Sequence, residues 1–234
     1  MKLTRNTFCG VFIATALLTC SPLSALPVGI TAGSSLTLDF NGFYNNPAVA
    51  IPGLSGTVSL SGFAFSNTLL GSDAATIVTF NYLVSNTSQA PILTSRISNF
   101  AFNTTPTILA GAPNSTTGIF HTVAVNGNQP NGIGTVEICI TGVNCAGGGG
   151  GGVSLGNIGG GTATIYYGGS INSLTIDSAF VRYQDVSCTS RSPCSGSASG
   201  TVTGGSAVPE PSSYALISMG IAGLAFASRY TRKK

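Results

Sequence analysis

Six cysteines occur in the chain. Four of them form two pairs of identical spacing, Cys139-x5-Cys145 and Cys188-x5-Cys194. Two chemistries use cysteines grouped in this way. A structural zinc site prefers C-x2-C spacing with a second pair or histidines close by, and neither pair has that spacing. In an exported chain, an even number of cysteines implies disulfides. Four cysteines allow three connectivities, and the equal local spacing favours Cys139–Cys145 and Cys188–Cys194. No catalytic residue is assigned. General acid–base work needs a histidine or paired carboxylates, and the single histidine, His121, lies in "GIFHTVAV" opposite Phe120 in a period-two pattern. That is the position of an exposed strand residue, and no G-x-S-x-G elbow accompanies it. Asp39, Asn41, Asn45 and Asn46 in "LDFNGFYNN", with Asp177 and Asp185, supply oxygens of the kind calcium takes. Their spacing matches no calcium loop, and Asn and Asp also make turns. No metal or other cofactor is assigned. Tyr44, Tyr82, Tyr166, Tyr167 and Tyr183 are candidates for a sugar-stacking surface, but with no tryptophan in the chain that reading is weaker than a core and interface role.

The elements that must position these residues are strands. Charged residues make up 6% of the chain, apolar residues 43%, and there are 32 glycines and no tryptophan. Apolar residues alternate with Ser, Thr and Asn over 34–43, 55–66, 75–87, 92–104, 118–126, 134–142, 163–169, 172–186 and 199–204. Alternation bounded by Gly, Pro, Asn and Ser marks short, half-buried strands. The expected fold is all-β, an antiparallel β-sandwich of jelly-roll or immunoglobulin-like kind over residues 26–198, with a closed barrel as the alternative. Residues 199–207 have the composition of a Gly/Ser linker. The outward positions are Thr and Ser, which leaves edge strands without their usual charged guards. "CAGGGGGGV" (145–153) lacks the Lys-Ser/Thr and the strand–loop–helix setting of a phosphate loop. It is expected to be a flexible loop or a close approach of backbone to backbone.

Charge is distributed unevenly. Between 26 and 206 three cations (Arg96, Arg182, Arg191) face five carboxylates (Asp39, Asp73, Glu137, Asp177, Asp185), a net of −2. No basic patch is available to neutralise phosphates, so nucleic acid is not an expected partner. The remaining cations lie at the two ends. Lys2 and Arg5 precede the apolar run Phe8–Leu18, followed by small residues and Pro22. This is the layout of a secretory signal peptide, with cleavage expected after Ala25. "LLTC" at 17–20 resembles a lipoprotein processing box, although Thr19 is a poor residue before the cysteine.

At the other end, Val208, Pro209, Glu210 and Pro211 precede an uncharged stretch, Ser212–Ser228, and the basic tail Arg229, Arg232, Lys233 and Lys234. Seventeen residues of helix reach roughly 25 Å, close to a hydrocarbon core of about 30 Å. A transmembrane helix is expected, with the tail held in the cytoplasm by the positive-inside rule. Pro209 and Pro211 remove backbone donors and keep the motif extended.

The order V-P-E-P, apolar helix, basic cluster over 208–234 resembles the PEP-CTERM sorting signal of Gram-negative bacteria. The resemblance implies export through the inner membrane and recognition of the motif by an exosortase, which removes the helix. It also implies a place at the cell surface or in the extracellular matrix, with exopolysaccharide and biofilm. The elements "SSLTLDFNGF", "VSNTS", "PNGIGTVEICITGVNCAGGGGGGVSLG" and "INSLTIDSAFVRYQ" are similar to the cistern group of such proteins, which brings no biochemical activity with it. The expected role is structural or adhesive and not enzymatic, with a carbohydrate-binding module as the alternative and a secreted hydrolase behind it.

Overall fold

In the computed structural model, which describes residues 26–44, 49–147, 150–189 and 194–208, each alternating segment has become a strand. In chain order they are β1 Val28–Thr31, β2 Ser35–Tyr44, β3 Val49–Leu70, β4 Asp73–Ser85, β5 Ile92–Thr105 and β6 Ser115–Thr116. There follow β7 Thr122–Gln129, β8 Gly134–Thr141, β9 Val153–Ser154, β10 Ile158–Gly168, β11 Ser173–Cys188 and β12 Ser195–Val208. The cause is visible in β2. Leu36, Leu38 and Phe40 are buried at 1%, 2% and 3% exposure, while Thr37 and Asp39 between them face outward. Period-two patterning of this kind matches the pleat of a strand with one face on a core.

The strands pair antiparallel in one sheet of order β6-β10-β4-β3-β2-β12-β11-β5-β8-β7, with β1 added to β11 and β9 to β5. The expected sandwich has two separate sheets; the described strands form one. The reason is the segment expected as a linker. Residues 199–207 lie within β12, which pairs with β11 on one side and β2 on the other. β12 thereby joins what would otherwise be two sheets, β6-β10-β4-β3-β2 and β11-β5-β8-β7.

The two halves face each other across the core. Phe80 and Tyr82 of β4 meet Phe102 and Phe100 of β5 at ring-centroid distances of 6.1 and 5.2 Å, although four strands separate β4 from β5 along the sheet. Offset and edge-on aromatic contacts of this kind add about 0.5–1.5 kcal/mol each beyond area burial. Phe120 closes the group, stacked on Tyr82 at 5.9 Å. The Tyr82 hydroxyl donates to the Thr117 carbonyl at 2.6 Å and accepts from the Phe120 amide at 3.2 Å, which pins the segment before β7.

Candidate functional site

The motif-bearing end of the chain is built on β12, "SGSASGTVTGGSAV". This is a central strand made of small residues, and the sheet needs it so. Ala198 is registered against Tyr183, and Gly200 against Val181 on one side and Gly42 on the other. A side chain at Gly200 would meet Val181 Cγ2 at 2.6 Å and Tyr183 Cε2 at 3.0 Å. Ala198 and Ser199 are fully buried. Arg182 of β11 fastens this part of the strand from the outer face, donating to Ser197 Oγ at 2.6 Å and Ser199 Oγ at 3.4 Å. Its side chain is 5% exposed, and burial lowers the pKa of the guanidinium.

β12 ends at Val208, registered opposite Ser35, the first residue of β2. Two physical limits coincide there. Pro209 has no amide hydrogen to continue a ladder. On the partner side, Gly33 at φ 76° and the Ser34 amide bonded to the Thr31 carbonyl turn the chain away. The motif therefore begins at the last paired residue of the domain, with no intervening linker. Pro209, Glu210 and Pro211, the stretch Ser212–Ser228, the tail Arg229–Lys234 and the leader 1–25 lie outside the described residues. Among the described residues no helix is long and apolar enough to cross a membrane.

Both expected disulfides are present, Cys139–Cys145 and Cys188–Cys194. Cys139 and Cys145 are buried with Ala101 and Val136 in a small cluster on the outer side of the sheet. That bridge anchors the start of the glycine run. Gly152 shows what the glycines do at its far end: its φ is 113°, and a Cβ there would strike the Ile97 carbonyl. At this position the run is a close approach of backbone to backbone. Replacing Cys139 and Cys145 together by serine is expected to lower the unfolding free energy by about 2 kcal/mol. Denaturant titration of oxidised protein measures it, and an unchanged midpoint would refute the structural role.

The other sequence candidates are dispersed. His121 is exposed just before β7, opposite in direction to the fully buried Phe120. Asp39 and Asn41 project outward from β2. Asp177 accepts from Thr105 Oγ1 at 2.7 Å, and Asp185 pairs with Arg96 at 2.9 Å. Asn45 and Asn46 lie outside the described residues. Among the described residues no group of three or more His, Cys, Asp or Glu could hold a metal ion. The tyrosine surface is not formed: Tyr82, Tyr167 and Tyr183 are core residues at 3%, 1% and 0% exposure. Burial pushes the hydroxyls of Tyr167 and Tyr183 up, so both stay neutral.

A groove of about 430 Å³ opens between Asn103, Thr104, Ile108, Asn126 and Glu137. The Glu137 carboxylate is committed within it, accepting from the Thr104 amide at 2.8 Å, from Thr104 Oγ1 at 3.0 Å and from the Ile108 amide. It holds the 104–108 turn in place. Sequence reasoning missed this group, because a lone glutamate in a strand carries no signal of the loop it will fasten.

Residues 207–233 match the family model of the PEP-CTERM protein-sorting motif. No curated protein and no solved structure matches the chain. The motif indicates export, processing by an exosortase, and a cell-surface or extracellular location in a Gram-negative bacterium. The chain is a PEP-CTERM domain-containing protein, with the motif joined directly to the central strand of its sheet.

Proposed function

We propose that the chain is a structural or adhesive protein of the cell surface or extracellular matrix, associated with exopolysaccharide in a biofilm. Ser212–Ser228 anchors it in the inner membrane, with the basic tail inside, until the exosortase removes the helix. The observation that supports this reading is the sorting motif attached to a domain whose outer face over β10, β4, β3 and β2 is nearly free of charge. Across β10, β4 and β3 the outward row runs Thr162, Asn81, Ser61, with Thr162 Oγ1 donating to Asn81 Oδ1 at 2.9 Å. Thr37 and Ser59 lie side by side at 2.9 Å on β2 and β3. Asp39 and Asp73 are the two charges among the outward positions of β2, β3, β4 and β10. Hydroxyl and amide groups bind neutral polymers and water without the salt dependence of charged surfaces. The role is one of packing and contact rather than catalysis.

A carbohydrate-binding module of the same matrix is the second reading, favoured by the groove of Asn103, Thr104 and Asn126.

Intact-mass analysis of the chain released by the cells tests the processing step. The expected product lacks Ser212–Lys234 and retains the domain. A released chain that still ends at Lys234 would overturn the reading.

A further inference from the structure

The last five residues of β12 are held differently from the rest of the strand. Ser195–Thr201 is registered against β11, and from Ser199 onward β12 is also registered against β2. Gly204–Val208 is registered against β2 alone. The cause is β1. Continued in step, the β11–β12 register would set residues 205 and 207 opposite Ile176 and Leu174. Those two positions are taken by Val28 and Ile30 of β1, which are buried at 6% and 1% exposure. The sheet thus forks. β1 follows β11, and the end of β12 follows β2.

Three further features weaken the same five residues. A register shift separates Val202 from Gly204. Gly204 and Gly205 stand inside the strand, where glycine gives up the most entropy and contributes no packing. The Arg182 hydrogen bonds reach Ser197 and Ser199 and lie before the shift. Segments with few buried contacts and one-sided ladders open at low free-energy cost while the rest of a fold stays closed.

We propose that Gly204–Val208 is a releasable hem, which peels from β2 so that the exosortase can draw V-P-E-P into its cleft while Ser195–Thr201 stays in the sheet. The proposal rests on the processing reading above. From Val208 to Ser212 the chain spans at most roughly 14 Å fully extended, so the closed hem holds the domain against the membrane with the motif between them. Peeling five residues adds about 17 Å of extended chain, room for a protease to engage residues on both sides of Glu210.

The test is made on the full chain in cells that carry the exosortase, by following the conversion of full-length to shortened protein. The pair Thr37→Cys with Ser206→Cys places cysteines at registered positions of the hem. The pair Asn41→Cys with Thr201→Cys does so before the shift. Bridge formation is verified by mass. The hem bridge is expected to slow conversion at least tenfold, with recovery under reductant, and the upstream bridge to leave it unchanged. Conversion at the wild-type rate with the hem bridged would overturn the hem while leaving exosortase processing intact. A wild type that is never shortened would overturn the processing reading, and the handover with it. Hydrogen exchange on the purified full chain reads the hem without the exosortase. Amides of 205–208 are expected to exchange at least a hundredfold faster than those of 198–201, and equal protection would refute the proposal.

Discussion

Ending the chain before Ser195 is expected to abolish its cooperative unfolding transition, whereas a chain ending at Val208 unfolds cooperatively. β12 is the join between β2 and β11. Without it, two internal edges lose their partners at once, and unpaired buried amides and carbonyls each cost about 1–3 kcal/mol. The core beside them opens as well. Leu36, Leu38 and Phe40 on β2, and Val181 and Tyr183 on β11, are at most 3% exposed, and β12 is what holds the two strands together. A domain stable by about 5–15 kcal/mol does not survive the loss of a central strand. The absence of tryptophan makes far-UV circular dichroism the suitable probe. A cooperative transition in the 26–194 chain would show that β12 is dispensable and that the halves fold as separate sheets.

The second large effect concerns the motif. Replacing Glu210 by alanine, or Pro209 and Pro211 together by alanine, is expected to reduce exosortase processing at least tenfold and leave the domain's stability unchanged. Proline has no amide hydrogen and disfavours helix in the residue before it, which suits a substrate segment read in a cleft. Glu210 is the single charge between Val208 and Arg229, so it is the one fixed electrostatic mark that distinguishes this stretch from the adjoining apolar run. Stability is unaffected because the ladder already stops at Val208, opposite Ser35. Immunoblots of pulse-labelled cells measure the rate, and normal conversion in the Glu210→Ala variant would show that recognition lies elsewhere.

The motif was legible in the sequence because its properties are local. Proline geometry, one carboxylate, an uncharged run and a cationic tail need no tertiary contact to be recognised, and the family match at 207–233 overlaps the expected 208–234 to within one residue at each end. The large alternating strands were legible for a related reason. Val78, Phe80, Tyr82 and Val84 on β4, and Ile138 and Ile140 on β8, are bulky because they face the core. β12 was not. Its inward residues Ala198 and Gly200 are small because Tyr183 and Val181 fill the space beside them, and small residues with serine and glycine have the composition of a linker. The two-sheet expectation came from strand spacing, and the pairing of β12 with both β11 and β2, which makes one sheet, carries no local signal. Strand breakers hid other boundaries. Pro52 and Gly53 masked the start of β3, and Gly159–Gly161 masked that of β10. The cysteine pairing followed from equal spacing and is present. The core role of Tyr82, Tyr167 and Tyr183 was the stronger expectation in a chain without tryptophan, and burial bears it out.

The C-terminal segment is proposed above to be a temporary anchor that is cut away. Fractionation of cells producing the wild type and a Pro209–Pro211 deletion tests this in one measurement. A temporary anchor predicts a shortened wild-type chain at the cell surface or in the medium, and a full-length deletion variant retained in the inner membrane. Both forms remaining full-length in the inner membrane would contradict it.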